Sequence, residues 1–267
     1  PVIADRCRQF RRLGLVRTQV ILAHGTEEPM EFLFRFRHLQ ELSPHYQARH
    51  DEELPPGFTR HSIPNFVDTR RFAPADKRQA RAELGLPQEG FLVLSVGAVN
   101  RSRKRMDWLI GEFSRLTFPD STLVIAGACG AEGKQLAEEA RAKLCTRFLL
   151  LENLPHAQMA QVYCAADLFV LCSLQEIFGI AFLEAMACGI PCVGHTNRVT
   201  EWILGETGTT VDMQAPGALA AAIAEYRQAP ERCAQRGRLA RQRVVDCFSS
   251  TVVIAQIVTM YEMILRN

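Results

Sequence analysis

The sequence has no apolar stretch near the roughly 18 residues that a membrane span needs, and no signal peptide opens it. It has no excess of one charge either: 31 basic residues face 29 acidic ones, for a formal net charge of +2. That balance argues against nucleic-acid binding by bulk charge and against a polybasic membrane anchor. No C-x-x-C is present. The nine cysteines are odd in number, and the nearest pair, Cys188 and Cys192, straddles a Gly-Ile-Pro turn with no His at metal-site spacing. Cys129, Cys145, Cys164, Cys172, Cys188 and Cys192 mostly lie in apolar runs, where a free thiol behaves as a small hydrophobe. A reducing, cytoplasmic compartment is expected.

Several catalytic signatures are also missing. No D-x-D occurs, which removes the usual carboxylate cradle for a nucleotide-bound divalent ion, so neither metal nor cofactor is expected. There is no G-x-S-x-G elbow for a serine nucleophile and no G-x-G-x-x-G for a dinucleotide. GACGAEGK (127–134) comes near a phosphate loop, but Ala128 holds the required glycine position and Gln135 that of the Ser/Thr.

What remains is an ordinary globular composition over 267 residues, 48% hydrophobic and 22% charged. That length makes one large domain or two modest ones, with no need for covalent staples. The first residue is Pro1 rather than Met, which points to a piece of a longer chain or a processed product.

From residue 91 onward short apolar runs alternate with helical patterns. FLVLSVG (91–97), STLVIAG (121–127), RFLLL (147–151), DLFVLCS (167–173), PCVGH (191–195) and GTTVD (208–212) read as strands, each followed by a helix. This is the pattern of an α/β fold with a doubly wound, mostly parallel sheet, whose ligands sit beyond the carboxyl ends of the strands. The first 60 residues differ. They offer one clear strand, TQVILAH (18–24), beside charged helical segments such as EFLFRFRHLQ (31–40), and look like a partial second α/β domain. A Pro-rich linker is expected near 55–75. The expected division is therefore 1–66 as a remnant of another domain, 67–248 as the ligand-binding domain, and 249–267 as a terminal helix. That helix, apolar nearly all round, should be covered on more than one side.

The chemistry concentrates in EIFGIAFLEAMACGIPCV (176–193). Glu176 lies in the loop after a strand, Phe178-Gly179 opens a helix, and Glu184 is the one charge inside it. A buried carboxylate costs several kcal/mol unless it is met, so Glu184 needs either a basic core partner or a ligand hydroxyl. The free N–H groups at Phe178, Gly179 and Ile180 add an anion site at the helix start. A second cluster, NRSRKR (100–105), follows the strand that ends at Gly97; Arg101, Arg103, Lys104 and Arg105 make either a solvated turn or a seat for a di- or triphosphate.

Taken together these residues carry a resemblance. E-x-F-G-x-x-x-x-E-A-M-A-C-G-x-P resembles the E-x7-E signature of retaining family 4 glycosyltransferases, the "group 1" family with the GT-B fold. SIPNFVDTRRF (62–72) is similar to the interdomain motif of that family, and VGAVNRSRKRMDWLI (96–110) to its phosphate loop. LPHAQMAQVYCAADLFVLCSLQE (154–176) is similar to the run before the first glutamate, and SSTVVIAQIVTMYEMIL to the closing helix. The match covers roughly residues 60–267.

The resemblance implies a metal-independent transfer of a sugar from a nucleotide-diphosphate donor to an acceptor hydroxyl with retention, the acceptor being a glycan, a lipid or a small molecule. It implies that Glu184 holds the ribose hydroxyls and Glu176 those of the sugar. Lys104 would neutralise the diphosphate, with Gly97, Asn100, Arg101 and Arg103 around it, and Phe178, Gly179 and Ile180 would offer backbone N–H groups. Asn153 and Leu154 would face the base, and His24 would stand in the catalytic cleft. Ala98 replaces the Arg that commonly follows the loop glycine, and Arg105 replaces the glycine after the lysine. Two other readings stand beside transfer: a non-catalytic nucleotide-sugar-binding module and a GT-B epimerase. A missing acceptor domain would leave this piece poorly active. No nucleic acid is expected as a partner, and peripheral membrane contact is left open.

Overall fold

A computed structural model describes residues 6–7, 9–10, 12–15, 19–24, 29–46 and 57–266. Its elements begin with β1 (Ile21–His24), α1 (Met30–Leu33), β2 (His38–Glu41), β3 (Thr59–Ser62) and α2 (Lys77–Glu83). Next come β4 (Phe91–Val96), α3 (Met106–Phe113), β5 (Ser121–Gly127), α4 (Ala131–Leu144), β6 (Phe148–Glu152) and α5 (Met159–Cys164). The chain continues through β7 (Leu168–Val170), α6 (Ile180–Ala187), β8 (Cys192–His195), α7 (Arg198–Leu204) and β9 (Thr209–Val211). It closes with α8 (Ala218–Gln228), α9 (Pro230–Phe248) and α10 (Ser250–Arg266). By its contacts the chain divides into two compact units, Pro1–Phe66 with Ser250–Asn267, and Val67–Ser249.

In the larger unit six strands form one parallel sheet in the order β6-β5-β4-β7-β8-β9. Both faces are covered, so the central strands are apolar without alternation: Phe91 to Leu94 on β4 and Leu123 to Ala126 on β5 are all buried. Val93, Leu109, Phe113, Leu123, Ile125, Leu136, Val170, Val193 and Ile223 belong to one core. Glu112 is buried within α3 but fully engaged. Its carboxylate accepts from Gly217 N–H at 2.9 Å and Ala220 N–H at 3.2 Å, closing the amino end of α8, and from Arg115 Nε at 2.9 Å. Arg241 does the converse for α6, donating to Ala187 O at 2.6 Å as well as to Phe72 O and Thr69 O.

The smaller unit holds a parallel sheet in the order β1-β2-β3. The sequence reading found β1 and missed the other two. HLQE (38–41) ends a segment expected to be helical, and TRHS (59–62) lies inside the expected linker. Neither carries an apolar run, and β2 instead buries His38 and Glu41 beside Leu39. The expectation for the last helix is also corrected. In α10, Val253, Met260 and Ile264 pack with Ile63, Ile21 and Ile257, whereas Ile254, Val258, Tyr261, Met263 and Leu265 are exposed. Among the described residues no helix is long and apolar enough to cross a membrane. All nine cysteines are free thiols; Cys145 is exposed and Cys129 half-buried, against the expectation from their apolar surroundings.

Candidate functional site

The larger sheet winds outward in both directions from β4 and β7, so its strand order reverses between them. Ligands of open parallel sheets bind outside the carboxyl ends of the strands at such a point. Two segments leave the sheet there, residues 97–105 after β4 and residues 171–179 after β7.

Asn100 folds the first segment. Its Oδ1 accepts from the N–H groups of Arg103 at 3.0 Å and Lys104 at 2.8 Å, and its carbonyl accepts from Met106 N–H at 3.0 Å. The turn lays the Lys104 stem over Gly97, where an added Cβ would stand 3.1 Å from Lys104 Cε. Gly127, at the end of β5, packs so closely that a Cβ there would fall 1.9 Å from Gly97 O. Arg105 adopts a left-handed φ of 49°, which costs a side-chain-bearing residue about 1–2 kcal/mol. Its guanidinium donates to Met213 O at 2.7 Å and lies 4.7 Å over the Trp108 ring. Those contacts hold an arginine where the similar motif has glycine.

From the second segment Glu176 reaches the first, and its Oε1 forms an ion pair with Lys104 Nζ. The two side chains are 15% and 22% exposed, so both charges are partly desolvated. Gly179 (φ 77°) precedes α6, which begins at Ile180. Phe178 is buried, its ring edge-on to Trp202 and Phe248, so what it can offer a ligand is its backbone. Ile180 is half-exposed at the first turn.

Glu184 follows one turn later on α6. Its Oε2 accepts from Tyr163 Oη at 2.7 Å, and its Oε1 lies 3.4 Å from His156 Nε2. The partners are thus a phenol and an imidazole on the neighbouring α5 segment rather than the basic core residue weighed from sequence. Burial, and after it the Glu184 charge, push the Tyr163 phenol well above its ordinary value, so it stays a donor. Sequence reasoning missed Tyr163 and His156. A tyrosine among the apolar positions of MAQVYCAADLF is the signal that would have pointed to the first, because a buried phenol seeks a partner.

The other nominated residues are placed as follows. Arg101 is turned toward α4, where it pairs with Glu139 at 2.6 Å. Arg103 is exposed, with no ion-pair partner among the described residues. Asn153 (φ 53°) and the half-buried Leu154 follow β6, and Asn153 N–H donates to Gly127 O at 3.1 Å. His24 ends β1 in the smaller unit, and its side chain lies outside the described residues. Ser173, just after β7, keeps a buried hydroxyl without a partner in the structure. No group of three His, Cys, Asp or Glu side chains among the described residues is placed to hold a metal ion.

Strand order and the helices on both faces of the sheet define a doubly wound parallel α/β unit, the Rossmann-like half of a GT-B fold. The chain belongs to the group 1 glycosyl transferases, whose family model matches residues 90–228, just over half of it. It is 34% identical over 187 residues to D-inositol 3-phosphate glycosyltransferase 2 of Catenulispora acidiphila, covering 64% of this chain and 43% of that protein. It is 26% identical over 219 residues to N-acetyl-alpha-D-glucosaminyl L-malate synthase of Bacillus anthracis, covering 77% and 54%. The chain thus spans about half the length of these relatives. Among solved structures it resembles sucrose-phosphate synthase from Thermosynechococcus elongatus, with a TM-score of 0.82, 22% identity, and 97% and 71% of the two chains covered. Anabaena HepE in complex with UDP-glucose gives a TM-score of 0.77 at 17% identity, covering 94% and 73%. At such identities these structures speak for the fold alone.

Proposed function

We propose that the chain binds a nucleotide-diphosphate sugar at the carboxyl edge of the six-stranded sheet. The protein it represents then passes the sugar to an acceptor hydroxyl with retention and without a metal. The observation that carries this reading is the Lys104–Glu176 pair at the point where the strand order reverses, with the amino end of α6 and Glu184 on the same helix. Glu184 takes the ribose hydroxyls, two donors that suit a carboxylate. Lys104 and Arg103, together with the N–H groups at the start of α6, take the diphosphate. Glu176, released from Lys104 as the lysine turns to phosphate, takes sugar hydroxyls. Asn153 and Leu154 face the base.

In the transfer step the bond between the anomeric carbon and the diphosphate oxygen breaks, and a bond to the acceptor oxygen forms on the same face. The acceptor proton goes to the departing phosphate oxygen. The work of the protein is to hold the negative charge that develops on the diphosphate, which fixed cationic groups and helix N–H groups do without reorganising. Structures of Anabaena HepE with UDP and with UDP-glucose support UDP as the first nucleotide to try. Calorimetry with UDP, GDP and ADP is the test. One of them should bind, and Glu184→Gln should weaken it while leaving the fold intact. A folded chain that binds none of the three would overturn the proposal. Product analysis with the matching sugar nucleotide separates transfer from epimerisation and from binding alone.

A further inference from the structure

The firmer of the two contacts to Glu184 comes from a side chain that solvent does not reach. Tyr163 is fully buried, and its Oη donates to Glu184 Oε2 at 2.7 Å. The ring is fixed edge-on to Phe72 at 6.0 Å and to Phe169 at 5.6 Å, and Phe169 stands edge-on to Phe182 at 5.8 Å. Phe182 lies on α6, two residues before Glu184. A ring packed in this way turns only by displacing its neighbours. The hydroxyl is therefore a fixed donor aimed at a carboxylate whose own last torsion is otherwise broad and roughly two-fold.

The chemistry of the partner matters as much as its position. A lysine or arginine in the same place would neutralise Glu184 and occupy its oxygens. A phenol supplies one hydrogen bond and no charge, so it leaves the carboxylate with lone pairs to spare. Hydrogen bonds from neutral hydroxyls to an anion are the stronger kind. His156 Nε2 meets Oε1 at the longer distance of 3.4 Å from an exposed side chain, a contact that a ligand hydroxyl can displace.

We infer that Tyr163 is a positioning residue: it fixes one oxygen of Glu184 so that the carboxylate meets the ribose diol, and it thereby sets the preference of the site for ribonucleotides over 2′-deoxyribonucleotides. The inference rests on the donor-site reading above. Tyr163→Phe removes the hydroxyl and keeps the ring contacts. Calorimetry on the full chain with UDP, GDP and ADP, each beside its 2′-deoxy counterpart, reads the preference directly. The wild-type chain should favour its ribonucleotide by about tenfold or more. In Tyr163→Phe that ligand should bind about fivefold to tenfold more weakly and the deoxy form, which keeps only the 3′ hydroxyl for Glu184, should lose less, so the preference shrinks. Glu184→Asp, which draws the carboxylate back from the phenol by one methylene, should give the same loss. In Glu184→Gln, adding Tyr163→Phe should change the preference no further, since the two act as one unit. A purely structural role would lower both ligands alike. Binding of the ribonucleotide with its preference unchanged in Tyr163→Phe and in Glu184→Asp overturns this inference and leaves the donor site standing. A wild-type chain that binds no nucleoside diphosphate overturns both.

Discussion

Lys104 and Glu176 come from loops 72 residues apart and meet with most of each side chain withdrawn from water. Removing one partner of such a pair leaves the other charge poorly solvated, and a bound diphosphate would lose its nearest cation. Lys104→Ala is expected to weaken nucleoside diphosphate binding about thirtyfold, and Lys104→Arg distinctly less; titration calorimetry on both variants checks the order, and equal losses would speak against a charge role. Tyr163 adds a pH signature. Its phenol is held well above the ordinary tyrosine range by burial and by Glu184. Above pH about 10 the unfolded chain therefore gives up a proton that the native chain keeps. Native protein then binds more protons than unfolded protein, so stability is full below that pH and falls as pH rises, by at most about 1.4 kcal/mol per unit for this group. Tyr163→Phe should remove that share of the decline in urea unfolding between pH 8 and 11. An unchanged slope would show that Tyr163 ionises as freely as an exposed phenol. Glu184 was legible in the sequence as a charge out of place, and Glu176 by its place in a loop that follows a strand. Tyr163 was not, because its significance lies in a contact across 21 residues that periodicity does not record.

Helix ends carry much of the organisation one level up. Glu112, next to last in MDWLIGEF, is buried and closes the amino end of α8 more than a hundred residues later. Glu112→Ala should cost about 2–3 kcal/mol of stability, since two helix N–H groups lose a charged acceptor, while leaving nucleotide affinity within a factor of two. Urea unfolding beside calorimetry tests this, and a variant as stable as wild type would show that water replaces the carboxylate. The elements of the larger unit were readable because its strands are buried on both faces and are apolar throughout. β2 and β3 were unreadable for the opposite reason. HLQE and TRHS are strands by virtue of their neighbours' hydrogen bonds, and no local preference of their own announces them. The helix α10 misled in another way: its composition is apolar all round, but in the smaller unit its buried contacts follow Val253, Ile257, Met260 and Ile264, at helical spacing.

At the scale of the whole molecule the sheet order is what gathers the site. Residues 97–105 and 171–184 are far apart in sequence, and they become neighbours because β4 and β7 pair in parallel where the winding reverses. The alternation of strands and helices was enough to expect a carboxyl-edge site, but strand order is a property of pairing and only the fold supplied it. The metal-free reading proposed above rests on Lys104 and Arg103 of the first loop and on the N–H groups at the start of α6 as the source of countercharge. Nucleoside diphosphate binding should accordingly survive millimolar EDTA, and affinity lost to chelation and restored by magnesium would contradict the metal-free reading.

The central claim is that the carboxyl edge of the six-stranded sheet holds a nucleoside diphosphate site built on Lys104, Glu176 and Glu184, and titration calorimetry of the wild-type chain against UDP, GDP and ADP, repeated with Glu184→Gln, tests it most directly. The account predicts that at least one diphosphate binds, that the variant remains folded, and that its affinity for that diphosphate falls about tenfold or more. Binding with equal affinity to wild type and variant, or to neither while both are folded, would contradict it.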